Sequence, residues 1–219
     1  MTTREPLRIQ VREDLLTRIL DGSYQPGDPI RELEVAARLG VSQSPVREAL
    51  RELVAAGLAE YTPNRGTRVR AIRAADLEQY YPVRAALEGL AGSLAAPALA
   101  GSTAVLADAI AQMNEGARTT DLLLFARAST AFHRHIIEAT DNRVLADAWN
   151  ALGVEIFTAV SLATTDHPLE QLADEHWPVV RALDRGDARA ASRELRAHVA
   201  GYGSRARTTR RRAVDPGPS

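Results

Sequence analysis

Three features of the sequence predict a mainly α chain in two parts. Residues 32–53 carry two short helical patterns parted by Gly40, residues 58–71 carry a hairpin signature, and from Ala74 onward the periodicity is helical throughout. Together they describe an N-terminal winged helix-turn-helix with a small β-hairpin wing, followed by an antiparallel bundle of about six helices. The expected boundaries are 1–73 for the first domain, 74–206 for the second, and a disordered tail over 207–219 that is rich in Arg, Pro and Gly.

Residues 7–21 place Leu7, Val11, Leu15, Ile19 and Leu20 on one helical face, and Gly22 stops that helix. Tyr24-Gln-Pro-Gly-Asp-Pro then reads as a turn-rich connector. The next helix, roughly 32–39, carries Leu33, Ala36, Ala37 and Leu39 and turns at Gly40. Ser42 or Ser44 can cap the helix that follows, and Pro45 fits near its start, where the missing N–H has no partner anyway. Val46, Leu50, Leu53 and Gly57 mark its buried face, while Arg47 and Arg51, four apart, share an exposed one. Residues 58–62 and 67–71 flank Pro63-Asn64-Arg65-Gly66, a hairpin whose tip suits positive φ. Beyond Ala74 the helical segments run roughly 76–97, 102–118, 121–139, 142–164, 168–184 and 187–206.

The 219 residues are 45% hydrophobic and 25% charged, enough for a real core. With no cysteine, disulfides, thiolate metal sites and thiol redox sensing are excluded. No apolar run approaches a membrane span and no signal-peptide pattern opens the chain, so a cytoplasmic location with no membrane partner is the expectation. The net charge of −1 is unevenly spread. Residues 1–73 hold 12 Arg against 10 acids, residues 74–203 hold 10 against 17, and residues 204–219 hold 5 against 1. Positive charge thus gathers where phosphates would be met, and the middle of the chain repels DNA.

In a helix-turn-helix the start of the second helix reaches base edges, and its backbone N–H groups meet phosphate. Ser42, Gln43 and Ser44 occupy that end. Arg47 is placed to meet a guanine edge or a phosphate, Arg51 to hold the backbone. Arg65 at the wing tip suits a minor groove or the flanking phosphates, and Gly66 lets the backbone approach closely. One such unit makes few contacts, so a homodimer on two-fold operator DNA is expected. Val41-Ser-Gln-Ser-Pro-Val-Arg-Glu-Ala-Leu50, with Leu20-Asp-Gly22 before it and Asn64-Arg-Gly-Thr67 after it, resembles the DNA-binding domain of GntR-family transcription regulators over residues 7–71. The resemblance implies a winged helix that binds double-stranded operator DNA. Family members most often carry arginine at the position of Gln43, so no operator sequence transfers to this chain: Gln pairs best with adenine, Arg with guanine.

Five histidines occur, and helical spacing turns three of them inward: His133, His176 and His198, on three different segments. His135 lies two residues off its stripe and His167 sits at a helix start. Three inward imidazoles each need partners for their ring nitrogens, and a divalent ion at about 2.0–2.1 Å would satisfy all three. Arg84 also falls on an apolar stripe, with Leu77, Tyr80, Tyr81, Leu87 and Ala91. A buried guanidinium needs a carboxylate, which Glu88 one turn on or an acidic ligand could supply.

Tyr81-Pro-Val-Arg-Ala-Ala-Leu-Glu88, Phe132-His133 with Asn142 behind it, Glu175-His176 and His198 are similar to the FCD ligand-binding domain of the FadR-type GntR subgroup, over residues 76–200. In metal-binding members, the resemblance implies, an Asp four residues before the first histidine joins the three histidines. Here that position is Ser129, a weak neutral ligand, so the implied divalent ion (zinc or similar) is held less tightly but keeps its full charge and an open position. That would favour an anionic effector, with Arg84 gripping its acid group and Ser129 counted among the effector-binding residues; alternatively, affinity for the ion drops enough that the histidines bind the effector directly as hydrogen-bond donors. The resulting expectation is not an enzyme but a DNA-binding transcription regulator, a repressor released from its operator by a small organic acid. Two other readings compete: a metal-dependent enzyme using the three-histidine site, and a constitutive DNA-binding protein without effector. The first lacks an obvious general base, since Glu155 and Glu175 sit beside their stripes.

Overall fold

Strong local signals fix the first helices. The computed structural model describes residues 6–214 along the backbone and side chains for 6–73 and 75–203. It divides into two units, Met1–Ile72 and Arg73–Ser219. In the first, α1 (Leu7–Leu20), α2 (Glu32–Leu39) and α3 (Gln43–Ala55) surround a small core. Gly40 ends α2 in the left-handed region at φ 65°, the conformation that glycine adopts without steric cost. Ser42 is the N-cap of α3 by backbone geometry but makes no side-chain capping bond, and Pro45 occupies the third helical position. Val46, Ala49, Leu50 and Leu53 are buried beneath it. Arg38 of α2 clamps Asp14 of α1 with two bonds of 2.6 and 2.7 Å.

The wing is built on β1 (Pro29–Ile30), β2 (Ala59–Thr62) and β3 (Gly66–Val69), a three-stranded sheet in the order β1-β3-β2. The hairpin β2–β3 pairs Ala59 with Val69 and Thr62 with Gly66, and its tip holds Asn64 at φ 63° and Gly66 at φ 76°, as the turn residues require. The short strand β1, pairing with Arg68 and Thr67, lies in what the sequence reads as a plain connector. Two burial expectations shift as well. Leu33 is 68% exposed while Val35 takes the inward position on α2, and on α1 Leu16 is buried in place of Ile19 and Leu20, with Leu7 exposed.

The second unit is all helical among the described residues: α4 (Ala74–Leu99), α5 (Ala104–Thr119), α6 (Leu122–Glu138), α7 (Arg143–Asn150), α8 (Val154–Ala163), α9 (Leu169–Asp174), α10 (Trp177–Asp184) and α11 (Ala188–Val214). Eight helices replace the expected six because two segments are each broken. Gly153, at φ 60°, separates α7 from α8. Pro178 has no N–H to continue α9, so the chain restarts at α10 with His176 at the break. Asp121 and Asn142 cap α6 and α7 by accepting the backbone N–H of Leu124 and Leu145. Gly92 lets α4 and α11 pack closely: a Cβ there would lie 2.7 Å from the Ala191 carbonyl oxygen. The helical backbone of α11 runs to Val214, past the expected end at 206, because no glycine or proline intervenes. Residues 215–219, with the rest of the expected tail's side chains, lie outside the described residues.

Candidate functional site

On the first unit, Ser42, Gln43, Ser44, Arg47, Arg51, Arg65 and Gly66 are all exposed. Arg47 does not project freely. Its Nε donates to Glu32 at 3.0 Å and its Nη2 to Gln43 at 3.2 Å, which aligns the guanidinium along the start of α3. Such an exposed pair is worth at most about 1 kcal/mol, so it orients Arg47 without committing it. Glu32, Arg47, Arg51, Tyr61 and Thr67 also line an open cleft of about 610 Å³ between α3 and the wing.

On the second unit, the three inward histidines meet. Each offers one ring nitrogen, and these atoms lie within 4.8 Å of one another. His133 comes from α6, His176 from the break before α10, and His198 from α11; they are 1%, 0% and 9% exposed. The ring of His176 stands 4.2 Å from that of His198 and 5.5 Å from that of His133, centroid to centroid. His135 is half-buried outside the cluster and His167 is exposed.

The outer partners of two rings decide their tautomers. His176 Nδ1 faces the carbonyls of Leu172 and Ala173 at 3.0 and 3.1 Å, so it carries the proton and donates. Its Nε2, buried without a hydrogen-bond partner, bears the lone pair. His133 Nδ1 lies against Glu88 Oε2, and His133 Nε2 is likewise buried without a hydrogen-bond partner. Burial, then the neighbouring His133, push the His176 pKa down to about 3. Burial also lowers that of His133, with Glu88 opposing. Neutral imidazoles with inward lone pairs are what a divalent cation binds, and the donor set therefore fits the ion that the sequence resemblance implies.

Beside the histidines runs a buried polar chain. Arg84 Nε donates to Glu88 Oε1 at 2.7 Å and Arg84 Nη1 to Thr158 at 3.2 Å, and Trp149 Nε1 donates to the same Glu88 oxygen at 2.9 Å. Burial would raise the Glu88 pKa, but Arg84 and then His133 outweigh it and hold the carboxyl well below its usual range. Burial would likewise lower that of Arg84, and Glu88 outweighs it, so the pair stays charged. Of the two partners the sequence offers Arg84, the one on its own helix is in place. Ser129 is 2% exposed on α6, one turn before His133. The expected α4 stripe is corrected at one position: Leu87 is half-buried and Glu88 faces the interior. Trp149 and Thr158 are members the sequence reading missed, and neither carries a local signal of the role.

The model of the bacterial regulatory proteins of the gntR family matches residues 7–69, and that of the FCD domain matches residues 76–201. A probable D-xylose utilization operon transcriptional repressor of Paenarthrobacter nicotinovorans is 44% identical over 200 residues, 91% of this chain and 88% of that protein. The HTH-type transcriptional repressor RspR of Escherichia coli is 28% identical over 198 residues, 89% of this chain and 86% of that one. The structure of E. coli McbR/YncC shares the fold at a TM-score of 0.74 and 20% identity, covering 94% of this chain and all of that one. Among the described residues no helix is long and apolar enough to cross a membrane. The chain belongs to the GntR family, with an N-terminal helix-turn-helix domain and a C-terminal FCD domain, and is a DNA-binding transcription regulator.

Proposed function

We propose that the chain is a homodimeric repressor that a small organic acid releases from operator DNA. The observation that carries the effector part is the cluster of three buried histidines, two of which hold a buried Nε2 without a hydrogen-bond partner. His133, His176 and His198 would hold a divalent ion such as zinc, which supplies positive charge and an open position for a carboxylate. Ser129, small and neutral, leaves room beside it. Arg84 keeps Glu88 and Thr158 as partners, so it attracts an anion by sharing charge rather than by offering an unpaired guanidinium. On the DNA side, Ser42, Gln43, Ser44 and Arg47 read bases, while Arg51, Arg65 and the Gly66 backbone hold phosphates.

The dimer is supported by the outer face of α4. Val83, Leu90 and Leu94 are 51%, 48% and 43% exposed with Leu87 between them, and the only charged residues from 79 to 99, Arg84 and Glu88, are buried. A helix apolar all round is normally covered on every side. An effector bound to α4, α6 and α11 would then bias one arrangement of the paired domains over another, and so the spacing of the two recognition helices.

The relative's name adds a second candidate class, a neutral pentose in place of an acid. The test is release of a DNA fragment from upstream of this chain's own gene, titrated with D-xylose and with its aldonic acid, in zinc and in chelator. The acid is expected to release DNA at lower concentration, and less well after chelation. Equal, chelator-indifferent potency of sugar and acid would favour the neutral ligand, and release by neither would refute this pocket's assignment.

A further inference from the structure

We propose that Glu88 is the positioning carboxylate of the histidine cluster: it fixes His133 in the Nδ1–H form, aims its Nε2 lone pair at His176 and His198, and lends the site the negative charge that Ser129 does not. The inference rests on the reading of the cluster as a divalent-ion site.

Glu88 is 1% exposed; Arg84 and Trp149 donate to it, and the Nδ1 of His133 lies against it. Arg84 and Trp149 both bond Oε1, at 2.7 and 2.9 Å, and leave Oε2 turned toward His133 Nδ1. An ion pair serving only to neutralise Arg84 would not need the second oxygen on a ring from another helix. An ionised carboxylate accepts and never donates, so the ring nitrogen facing it must carry the proton. The other nitrogen is then a lone pair in the chamber, buried and without a hydrogen-bond partner. His176 reaches the same state through a different device, the carbonyls of Leu172 and Ala173. Two independent outer contacts thus leave acceptors facing one another, an arrangement that repels unless a cation or donor stands between them. A carboxylate behind a ligating imidazole also raises its basicity, and removing such a partner commonly costs about 10–100-fold in metal affinity.

The test uses full-length protein and zinc alone, with affinity read by competition with a chelating dye and ring tautomers by ¹⁵N NMR of histidine. Because Glu88→Gln strands the buried Arg84 charge, the main variant is Arg84→Met/Glu88→Gln, which removes both charges. It is expected to stay helical by circular dichroism, to lose about 10–100-fold in zinc affinity, and to lose the pure Nδ1–H form of His133, since an amide can donate as well as accept. Met113→Leu, a buried packing change on α5, a helix that supplies no member of the polar chain or the histidine cluster, is expected to retain both properties. If wild type binds zinc and the double variant binds it equally with His133 still in the Nδ1–H form, the role of Glu88 is refuted while the metal site stands. Wild type that binds no zinc overturns both readings together.

Discussion

Replacing Ser129 by aspartate makes the stability of the helical domain depend on metal. The side chain is 2% exposed, one turn from His133, and Glu88 already places a carboxylate against that ring. In metal-free protein a second carboxylate must be buried without a cation. Burial raises such a pKa by roughly 2–3 units, which at about 1.4 kcal/mol per unit costs about 3–4 kcal/mol at neutral pH. At about 2–4 °C per kcal/mol for a chain of this size, the melting temperature in chelator is expected to fall by roughly 10 °C. Zinc reverses the sign. Saturation at about 100 times Kd contributes about 2.7 kcal/mol, and a tenfold tighter site adds about 1.4 kcal/mol. Thermal melts by circular dichroism, with zinc and with chelator, read both effects. The same melting temperature in the two buffers would refute the placement of Ser129 on the ion's coordination shell.

Other expectations follow from the same structure. Arg47→Ala should cost about 1–3 kcal/mol on specific DNA and relax base preference at one position. Arg51→Ala should instead weaken all DNA alike and reduce the salt slope by about 1; equal loss of discrimination in both would show the division of roles to be wrong. In metal-free protein, His176 is held at about 3 against 6.5 in its ordinary state, by burial and then by His133. Between those values the unfolded chain takes up a proton that the folded one refuses, so stability should fall as pH drops from about 6.5 toward 3, by up to about 1.4 kcal/mol per unit. Denaturant titrations of the chelated protein across that range check the sign, with stability flat over the interval as the contrary result. If the outer face of α4 is the proposed dimer contact, Leu90→Glu with Leu94→Glu should sediment as a monomer, whereas Val144→Glu, at a residue 80% exposed on α7, should sediment as wild type does.

The helix-turn-helix was legible because its signals are local: Gly40 as a stop, Pro45 near a start, and an apolar period that survives in the buried set Val46, Leu50 and Leu53. Strand β1 was not, because two residues have no period and become a strand only by pairing with Arg68 and Thr67. The histidines were legible one by one from helical spacing, and that they converge follows from packing of α6, α10 and α11. The orientation of α4 failed by one residue, Leu87 for Glu88, because a helix apolar on nearly every side gives no phase to read. The Arg84–Glu88 pair lies within one turn and could be foreseen. The contact from Glu88 to His133 spans 45 positions and depends on how α4 and α6 pack, and that to Trp149 depends on how α4 and α7 pack, so neither had a sequence signal.

The most direct test of the account is the affinity of the protein for operator DNA as the proposed organic acid is added, in wild type and in His198→Ala. His198 contributes one of the three converging ring nitrogens and lies on α11, in the unit that does not contain the helix-turn-helix. The account predicts that the variant binds DNA as wild type does when no acid is present, carries less zinc by elemental analysis, and loses its response to the acid. A variant that is released from DNA at the same acid concentration as wild type would contradict the claim that this chamber governs the regulator.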